Sequence, residues 1–462
     1  MTHIKITKGL DIPIKGRPSG NIEPLIAAGG ASVDFPIQVA LNLKPFDQIK
    51  FKLLVRPGDV VKIGQPIAED KFCSGRMFCS PGSGVIKEVR RGLKRSLTDI
   101  VIELSKQEEY QQLAPLNVAA SSRDLLVDRL NHGGLFAHIR SRPFNELADP
   151  AKMPRNIFVK AVESAPLVPP AELQVIGHEK EFQAGLDVLA KLTEGSVHLV
   201  YHKDSTLKAF TEAQNVQKHT AEGPHPIGTH SLHIQWIDPV KSADDNIWTL
   251  DAHDVVSVGH LVLNGKYFIE RVISIAGPGV LPERTGYFRV REGYPISHLA
   301  SGRVQKGLMR LVSGDPLMGK KVDSEDFLGF HDFCFCIIPE GTEREFLHFF
   351  RLGSRKYSFS RAYASGHFDN KNREYDFTTS RHGEHRAFID STLYDEVMPL
   401  PISTMTLVKA VMAEDYDLAA ELGLLGVDEE DFALPTFVDP SKNEMIEIMK
   451  NGLRLYAQDM KG

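Results

Sequence analysis

At 462 residues the chain exceeds what one hydrophobic core supports, and three or four domains are expected. With 42% apolar and 25% charged residues it reads as globular, and its net charge of −6 provides no positive field that would gather nucleic acid. No apolar run reaches bilayer-spanning length and no signal-peptide segment opens the sequence, so the chain is expected in the cytosol or as a peripheral subunit facing it.

Residues 1–30 read as a short strand in MTHIKITKGLDIPIKG, a turn at Lys15-Gly16-Arg17 and a flexible end at Gly29-Gly30. From Phe51 to Val89 two β arms are punctuated by the turn formers PGD at 57–59 and SPGSG at 80–84. Val60, Ile63 and Ile67 on one arm, with Val85, Ile86 and Val89 on the other, are the expected core. Gly58 and Gly64 supply the permissive backbone angles. The pattern resembles the biotinyl/lipoyl family of barrel-sandwich hybrids, whose attachment lysine would correspond to Lys71 in EDKF. Lys71 falls a few residues early for the family's hairpin tip and lacks small or methionine neighbours, so a structural module is expected rather than a carrier. Arg90, Arg91, Lys94 and Arg95 follow as a basic run, either a solvated face or a contact for an acidic partner or anionic headgroups.

After a boundary at 107–122, RDLLVDRLNHGG predicts a helix ending at Gly133 and Gly134, NIFVKAV a buried strand, and Glu179–Leu192 a helix with Phe182, Leu186, Leu189 and Leu192 on one face. The stretch Leu130–Pro166 looks like the opening of a Rossmann-like unit. Its glycine pair is flanked by Asn131 and His132, without GxGxxG, and fits a tight packing turn or a remodelled pocket better than a nucleotide loop. SVHLVYHK and SLHIQWI are predicted strands, joined by the rigid loop TAEGPHPIGTH. His219, His225, His230 and His233 could supply imidazoles to a metal, but no acidic partner stands at motif spacing, and a polar loop lining a cleft is the simpler expectation.

Residues 255–338 read as β structure: VVSVGHLVLNGKYFIERVISIAG as paired strands about an Asn264-Gly265 turn, then YFRVREG, MRLVSGDPLMGKKV and DFCFCIIPEG, with a short helix in YPISHLASG. The polar stretch 366–385 is an expected exposed excursion. From Thr404 two amphipathic helices are predicted, joined by VDEEDFALPTFVDPSK, whose acidic run Asp428–Asp431 suits a helix N-terminus better than a paired-carboxylate site. Cys73, Cys79, Cys334 and Cys336 form two distant pairs without CxxC spacing, and reduced thiols are expected. The fold class is therefore α+β multidomain. The expected plan is a barrel-sandwich hybrid within 1–110, a Rossmann-like α/β domain at 123–250, a β-grasp-like domain at 255–338, a connecting excursion at 339–403 and a helical domain at 404–462.

The order of motifs resembles the A-subunit family of the Na⁺-translocating NADH:quinone reductase. It is carried by KGLDIPIKG at 8–16, the hybrid signature, VKAVESAP at 159–166, EGPHPIGTH at 222–230, ISIAGPGV at 273–280 and LGLLGVDEEDFALPTFVDPSK at 422–442. The family is more distantly similar to the flavin-bearing NADH subunit of respiratory complex I and to the corresponding C-subunit of the Rnf complex. In those relatives a glycine-rich loop cradles flavin phosphate, a segment close to NADESEP follows, and C-terminal cysteines hold an iron–sulfur cluster. Here only Gly133 and Gly134 remain of the loop, Ala161, Val162 and Glu163 stand in the second segment, and Pro435 and Asp439 flank a region without cysteine. The resemblance implies a peripheral subunit on the cytoplasmic side of the inner membrane. It would dock on the partner subunits B to F, most directly the membrane-embedded B-subunit, and take part in ubiquinone reduction coupled to Na⁺ export. NADH, FAD, FMN and the 2Fe–2S centre would be used by the partners, with no cofactor tightly bound here. Phe136, His138 and the GPHP loop are candidate quinone contacts, each with packing as the plainer role. No catalytic residue and no metal ligand is assigned. A flavin-dependent NADH-oxidising subunit and a non-catalytic adaptor are the alternatives.

Overall fold

The computed structural model describes residues 1–25, 36–342, 346, 350–368, 370 and 372–461. The glycine end expected at Gly29-Gly30 lies outside the described residues. The hybrid domain packs a four-stranded sheet, ordered Gln38–Asn42, Leu97–Leu104, Gly84–Arg91 and Val60–Val61, on a three-stranded sheet of Phe51–Leu53, Pro66–Asp70 and Met77–Cys79. Ile67 and Ile86 enter its core as expected, beside Val39, Leu41, Val61, Phe78, Ile100 and Ile102. Val60 and Val85 do not: strand alternation turns them outward, 73% and 40% exposed, and puts Val61 and Ile86 inside. Ile63 instead joins the core of the α/β domain. Gly58 and Gly64 take left-handed angles at φ 96° and 79°, and a Cβ on Gly64 would lie 2.8 Å from that of Tyr267.

The α/β domain has a seven-stranded sheet ordered His3–Lys5, Gln217–Glu222, Val197–His202, Asn156–Ala161, Ile247–Asp251, Arg140–Arg142 and Glu146–Leu147. The first five run parallel and the last two antiparallel. The N-terminal strand thus belongs to this sheet rather than to the hybrid domain that follows it. Helix Arg123–His132 is capped by the Ser122 hydroxyl, and helix Glu179–Leu192 forms with the expected residues buried.

Two predicted strand regions are helices. SLHIQWI lies in helix His230–Ile237, which buries Leu232 and Ile234 while leaving Trp236 half exposed. VVSVGHLVLN lies in helix Ala252–Asn264, opened by a reciprocal Asp251–Asp254 capping box and closed by Gly265 at φ 63°. This helix is buried on almost every side, so its valines carry no amphipathic period, and an all-apolar run is indistinguishable from a central strand by pattern. The Asn264-Gly265 pair is a helix stop rather than a hairpin turn. The expected divide between residues 250 and 255 therefore falls within the helix's first turn. Gly185 and Gly259 let this helix lie directly on Glu179–Leu192, since a Cβ on either would fall 2.0 or 1.7 Å from a carbonyl oxygen of the other helix.

A third sheet runs Lys320–Val322, Met309–Ser313, Cys334–Pro339, Glu270–Ala276, Gly286–Arg291 and Ile22–Pro24, so the N-terminal segment also edges this domain. Helix Ile296–Ala300 covers its core of Ile273, Ile275, Leu299, Phe335 and Ile337. The C-terminal region contains helices Thr392–Val397, Thr404–Met412, Tyr416–Glu421, Ala433–Val438 and Met445–Lys461. The first long helix predicted there is broken where Glu414 adopts φ 57° and Asp415 caps a new start, and the expected linker itself contains a helix. The excursion is only partly exposed. Tyr375 is buried, Ile14 bridges to it, and Tyr357, Tyr375 and Phe377 stack toward Phe437. Among the described residues, no helix is long and apolar enough to cross a membrane.

Candidate functional site

The parallel sheet changes direction at strand Asn156–Ala161. The chain leaves it toward Val197–His202 on one side and returns as Ile247–Asp251 on the other. In open α/β sheets the crevice beyond the strand ends at such a point is where ligands settle. Here it is filled by the chain itself. Lys160, buried in this central strand, places its Nζ 3.4 Å from both Glu163 and Asp251. Burial works to lower the pKa of the ammonium, but Asp251, Glu163 and the charge of Glu430 outweigh it and hold the pKa well above the ordinary lysine value. His230, opening its helix, lies with Nε2 3.0 Å from the other oxygen of Asp251.

The family-like motifs converge on this edge. Glu163 accepts the amides of Ser164 and Ala165, both at 2.8 Å, and folds its own loop around its carboxylate. Ser164 Oγ accepts the Gly228 amide at 2.9 Å and lies 3.0 Å from His225 Nδ1. The amide of His225 donates to Asp11 of KGLDIPIKG at 2.9 Å, and Gly16 at the end of that segment accepts the amide of Gly277 in ISIAGPGV, also at 2.9 Å. A Cβ on Gly16 would stand 2.3 Å from the Gly277 oxygen, so the two backbones touch.

The C-terminal segment Val427–Asp431 reaches this region, with Glu430 close enough to Lys160 for their charges to interact. Arg142, 1% exposed, donates to the Val427 carbonyl at 2.5 Å and to Ser231 Oγ at 3.0 Å, and pairs with Asp428 at 3.2 Å. Asn145 donates to the second Asp428 oxygen at 3.0 Å. Asp428 and Asp431 form a capping box on the short helix Glu429–Phe432, so the acidic run does serve a helix start. Burial pushes Glu430 up to about 8 against the pull of Lys160, and Asp431 up to about 6 against Arg142. Burial and the neighbouring Asp428 raise Glu429 as well.

The Gly133-Gly134 turn is a joint between domains. Gly134 sits at φ 73° with a would-be Cβ 2.9 Å from Cys79 Sγ of the hybrid domain, and one on Gly133 would strike Leu261 at 2.2 Å. Phe136 is fully buried edge-on to Trp248, and His138 Nδ1 lies 3.0 Å from Asp254 with Phe330 against its ring. The four histidines do not meet at one point. His219 bonds to the Thr2 amide and to His198, His225 to Ser164, His230 to Asp251, and His233 to the Ile227 carbonyl. Burial holds the imidazoles of His225 and His233 down at about 4 and 3. Among the described residues, no three His, Cys, Asp or Glu side chains come together to hold a metal. All four cysteines are free thiols, and burial raises those of Cys79, Cys334 and Cys336. Lys71 is the first residue past strand Pro66–Asp70, at the base of its hairpin. Asp439 accepts Tyr394 Oη and the amides of Ser441 and Asn443, and pins the C-terminal helices. A surface cavity of about 650 Å³, rimmed by Glu172, Glu179, Asp204 and Lys208, shares no lining residue with the crevice.

Comparison with known proteins agrees along the whole length. Family models for the NqrA N-terminal barrel-sandwich hybrid domain, the NqrA second alpha/beta domain and the NQRA C-terminal domain match residues 4–105, 121–267 and 272–324. The A-subunit of the Na(+)-translocating NADH-quinone reductase of Chlamydia caviae is 36% identical over 99% of this chain and 97% of its own. The chain belongs to that A-subunit family. The same subunit of Saccharophagus degradans is 35% identical over 97% of this chain and 98% of its own. A chain of an NAD+-reducing NiFe hydrogenase in its H2-reduced state is 11% identical over 76% of this chain and 68% of its own, with a TM-score of 0.37, a likeness too loose to place any element.

The crevice was the part of the site that sequence reasoning missed. The available signal was Lys160 itself, since a lysine inside NIFVKAV must find buried carboxylates if that strand is central.

Proposed function

We propose that this chain is a peripheral subunit of the Na⁺-translocating NADH:ubiquinone reductase. It docks from the cytoplasmic side on the inner-membrane part of the complex, most directly on the B-subunit among the partner subunits B to F, and takes part in reducing ubiquinone to quinol as Na⁺ is exported. It carries no catalytic residue and no tightly bound cofactor of its own; NADH, FAD, FMN and the 2Fe–2S centre work in the partner subunits. Ubiquinone is the ligand class that suits the chain, because an uncharged ring needs an apolar cleft with few hydrogen bonds rather than a phosphate cradle.

The observation that carries this reading is the filled switch point in a chain of this family. Where a nucleotide-using relative would open a crevice, Lys160 is neutralised by Glu163 and Asp251, and Arg142 of strand Arg140–Arg142 holds Val427 and Asp428 of the C-terminal segment. The glycine turn that would cradle a phosphate is packed against Cys79 and Leu261, which weighs against the flavin-dependent alternative.

The test is to tag the chain in its own membranes, extract it gently and identify what travels with it, then assay Na⁺-stimulated quinone reduction with and without it. Recovery of five partner subunits, with activity lost on its removal, is expected. Recovery of the chain alone, with pump activity intact, would overturn the reading.

A further inference from the structure

The hairpin that ends the hybrid domain's two longest strands projects a basic, apolar-tipped loop that none of the contacts above uses. Strands Gly84–Arg91 and Leu97–Leu104 run antiparallel, and Arg91 through Ser96 between them are all exposed. At the apex Leu93 is 92% exposed, the most exposed large apolar side chain described. Arg91, Lys94 and Arg95 flank it with three exposed cations, and Lys87 adds a fourth farther down the strand, in a chain whose net charge is −6. Of the carboxylates nearby in sequence, Asp99 is buried and accepts Asn42, and Glu88 is taken by Arg90, which also donates to the Glu325 carbonyl and covers the Phe327 ring. Arg91 donates to the Arg95 carbonyl, and none of Lys87, Arg91, Lys94 and Arg95 is in an ion pair among the described residues.

The backbone is held in an unfavourable form to present these side chains. Lys94 and Arg95 both lie in the left-handed region, at φ 52° and 62°, where glycine would be free of cost. The loop is closed by the Gly92 amide donating to the Ser96 carbonyl at 2.8 Å and by Ser96 donating back to Leu93. A folded hairpin with one apolar side chain at its apex and a collar of long cations fits a soft anionic layer. The leucine enters the headgroup boundary while the cations reach outward to phosphates. A protein partner would need a socket for a single leucine with carboxylates around it. The bilayer supplies both without a specific fit.

We infer that the Leu93 hairpin is a membrane-surface contact, in which Arg91, Lys94 and Arg95 bind anionic lipid headgroups and Leu93 inserts among them. This rests on the reading of the chain as a peripheral membrane subunit and adds a lipid contact distinct from docking on partner subunits.

The full-length purified chain should co-sediment with vesicles containing phosphatidylglycerol, and far less with phosphatidylcholine alone, with binding that weakens as salt is raised. Replacing Arg91, Lys94 and Arg95 together with glutamine should lower the partition coefficient roughly 100-fold, from the typical contribution of each surface cation. Leu93→Ser alone should lower it about tenfold. Melting temperature should be nearly unchanged in both variants, because residues 91–96 are all exposed. Equal vesicle binding by wild type and variant, or none by wild type, would overturn the inference. Co-purification of the triple variant with the other pump subunits separates the two proposals. Partners retained with vesicle binding lost supports both. Partners lost from the variant, when the wild type itself never bound vesicles, would assign the hairpin to an acidic protein surface and refute the lipid contact.

Discussion

Replacing Arg142 with methionine removes a buried cation that ties the C-terminal segment to the α/β sheet. Its guanidinium holds the Val427 carbonyl, Ser231 and Asp428, and methionine of similar length would fill most of its volume without replacing any of the three bonds. Breaking a buried pair by deleting one partner costs about 3–5 kcal/mol. Asp428 retains Asn145 and the Glu429 amide at 2.6 Å and is itself slightly exposed, which favours the lower end, about 3 kcal/mol. A chain of several domains need not unfold in one step, so the local quantity is the informative one. Amide hydrogen exchange across 424–438 should speed up roughly 100-fold relative to wild type, at 1.4 kcal/mol per factor of ten. Protection in the central strands Asn156–Ala161 and Val197–His202 should be nearly unchanged. Unaltered exchange in 424–438 would show that Arg142 does not hold the C-terminal segment in place.

Gly134→Ala should destabilise the chain by more than Gly177→Ala. Both glycines have positive φ, at 73° and 88°, but only the first would also press a methyl on Cys79, so the gap in urea midpoint between them isolates the joint. Lys160→Met leaves Glu163 and Asp251 without their shared cation and should cost about 3 kcal/mol, part of which Glu163→Gln in the same chain should restore. Acid sensitivity should follow the buried histidines. Their folded values are lowered, to about 4 for His225 and about 3 for His233, below about 6.5 when unfolded, so the unfolded state binds more protons in that window. Stability should therefore be lost as pH falls from about 6.5 toward 4, read as a falling urea midpoint. Glu430 has the opposite sign. Its folded value is raised to about 8, so the folded state holds a proton that the unfolded state releases above about 4.5. Glu430→Gln should gain on wild type as pH rises from about 5 to 8, and a constant difference would contradict the assignment.

Much of the fold was legible because local chemistry and packing agree there. The PGD and SPGSG turns set the hybrid hairpins, and the 3–4 spacing of Phe182, Leu186, Leu189 and Leu192 specifies a helix whose one face meets the sheet. Legibility failed where burial is total or tertiary placement decides. Helix Ala252–Asn264 is apolar all round, so Val255, Val256 and Val258 gave strand propensity with no period to oppose it. In SLHIQWI the alternation of Leu232, Ile234 and Trp236 mimics a half-buried strand, yet the segment must turn between strands 217–222 and 247–251 and packs Ile234 on Phe158. The crevice could not be read locally at all. Arg142, Lys160, Asp251 and Asp428 span most of the chain, and only the sheet order brings them together.

The proposed function has Lys160, Glu163 and Asp251 fill this chain's own switch point, so that flavin and NADH chemistry belong to its partners. The most direct measurement is calorimetric titration of the purified full-length chain with FMN and with NADH, alongside its visible absorbance spectrum. A colourless protein with no heat of binding for either ligand is expected. A stoichiometric flavin, or saturable binding of NADH in the micromolar range that is lost in Lys160→Met, would contradict it.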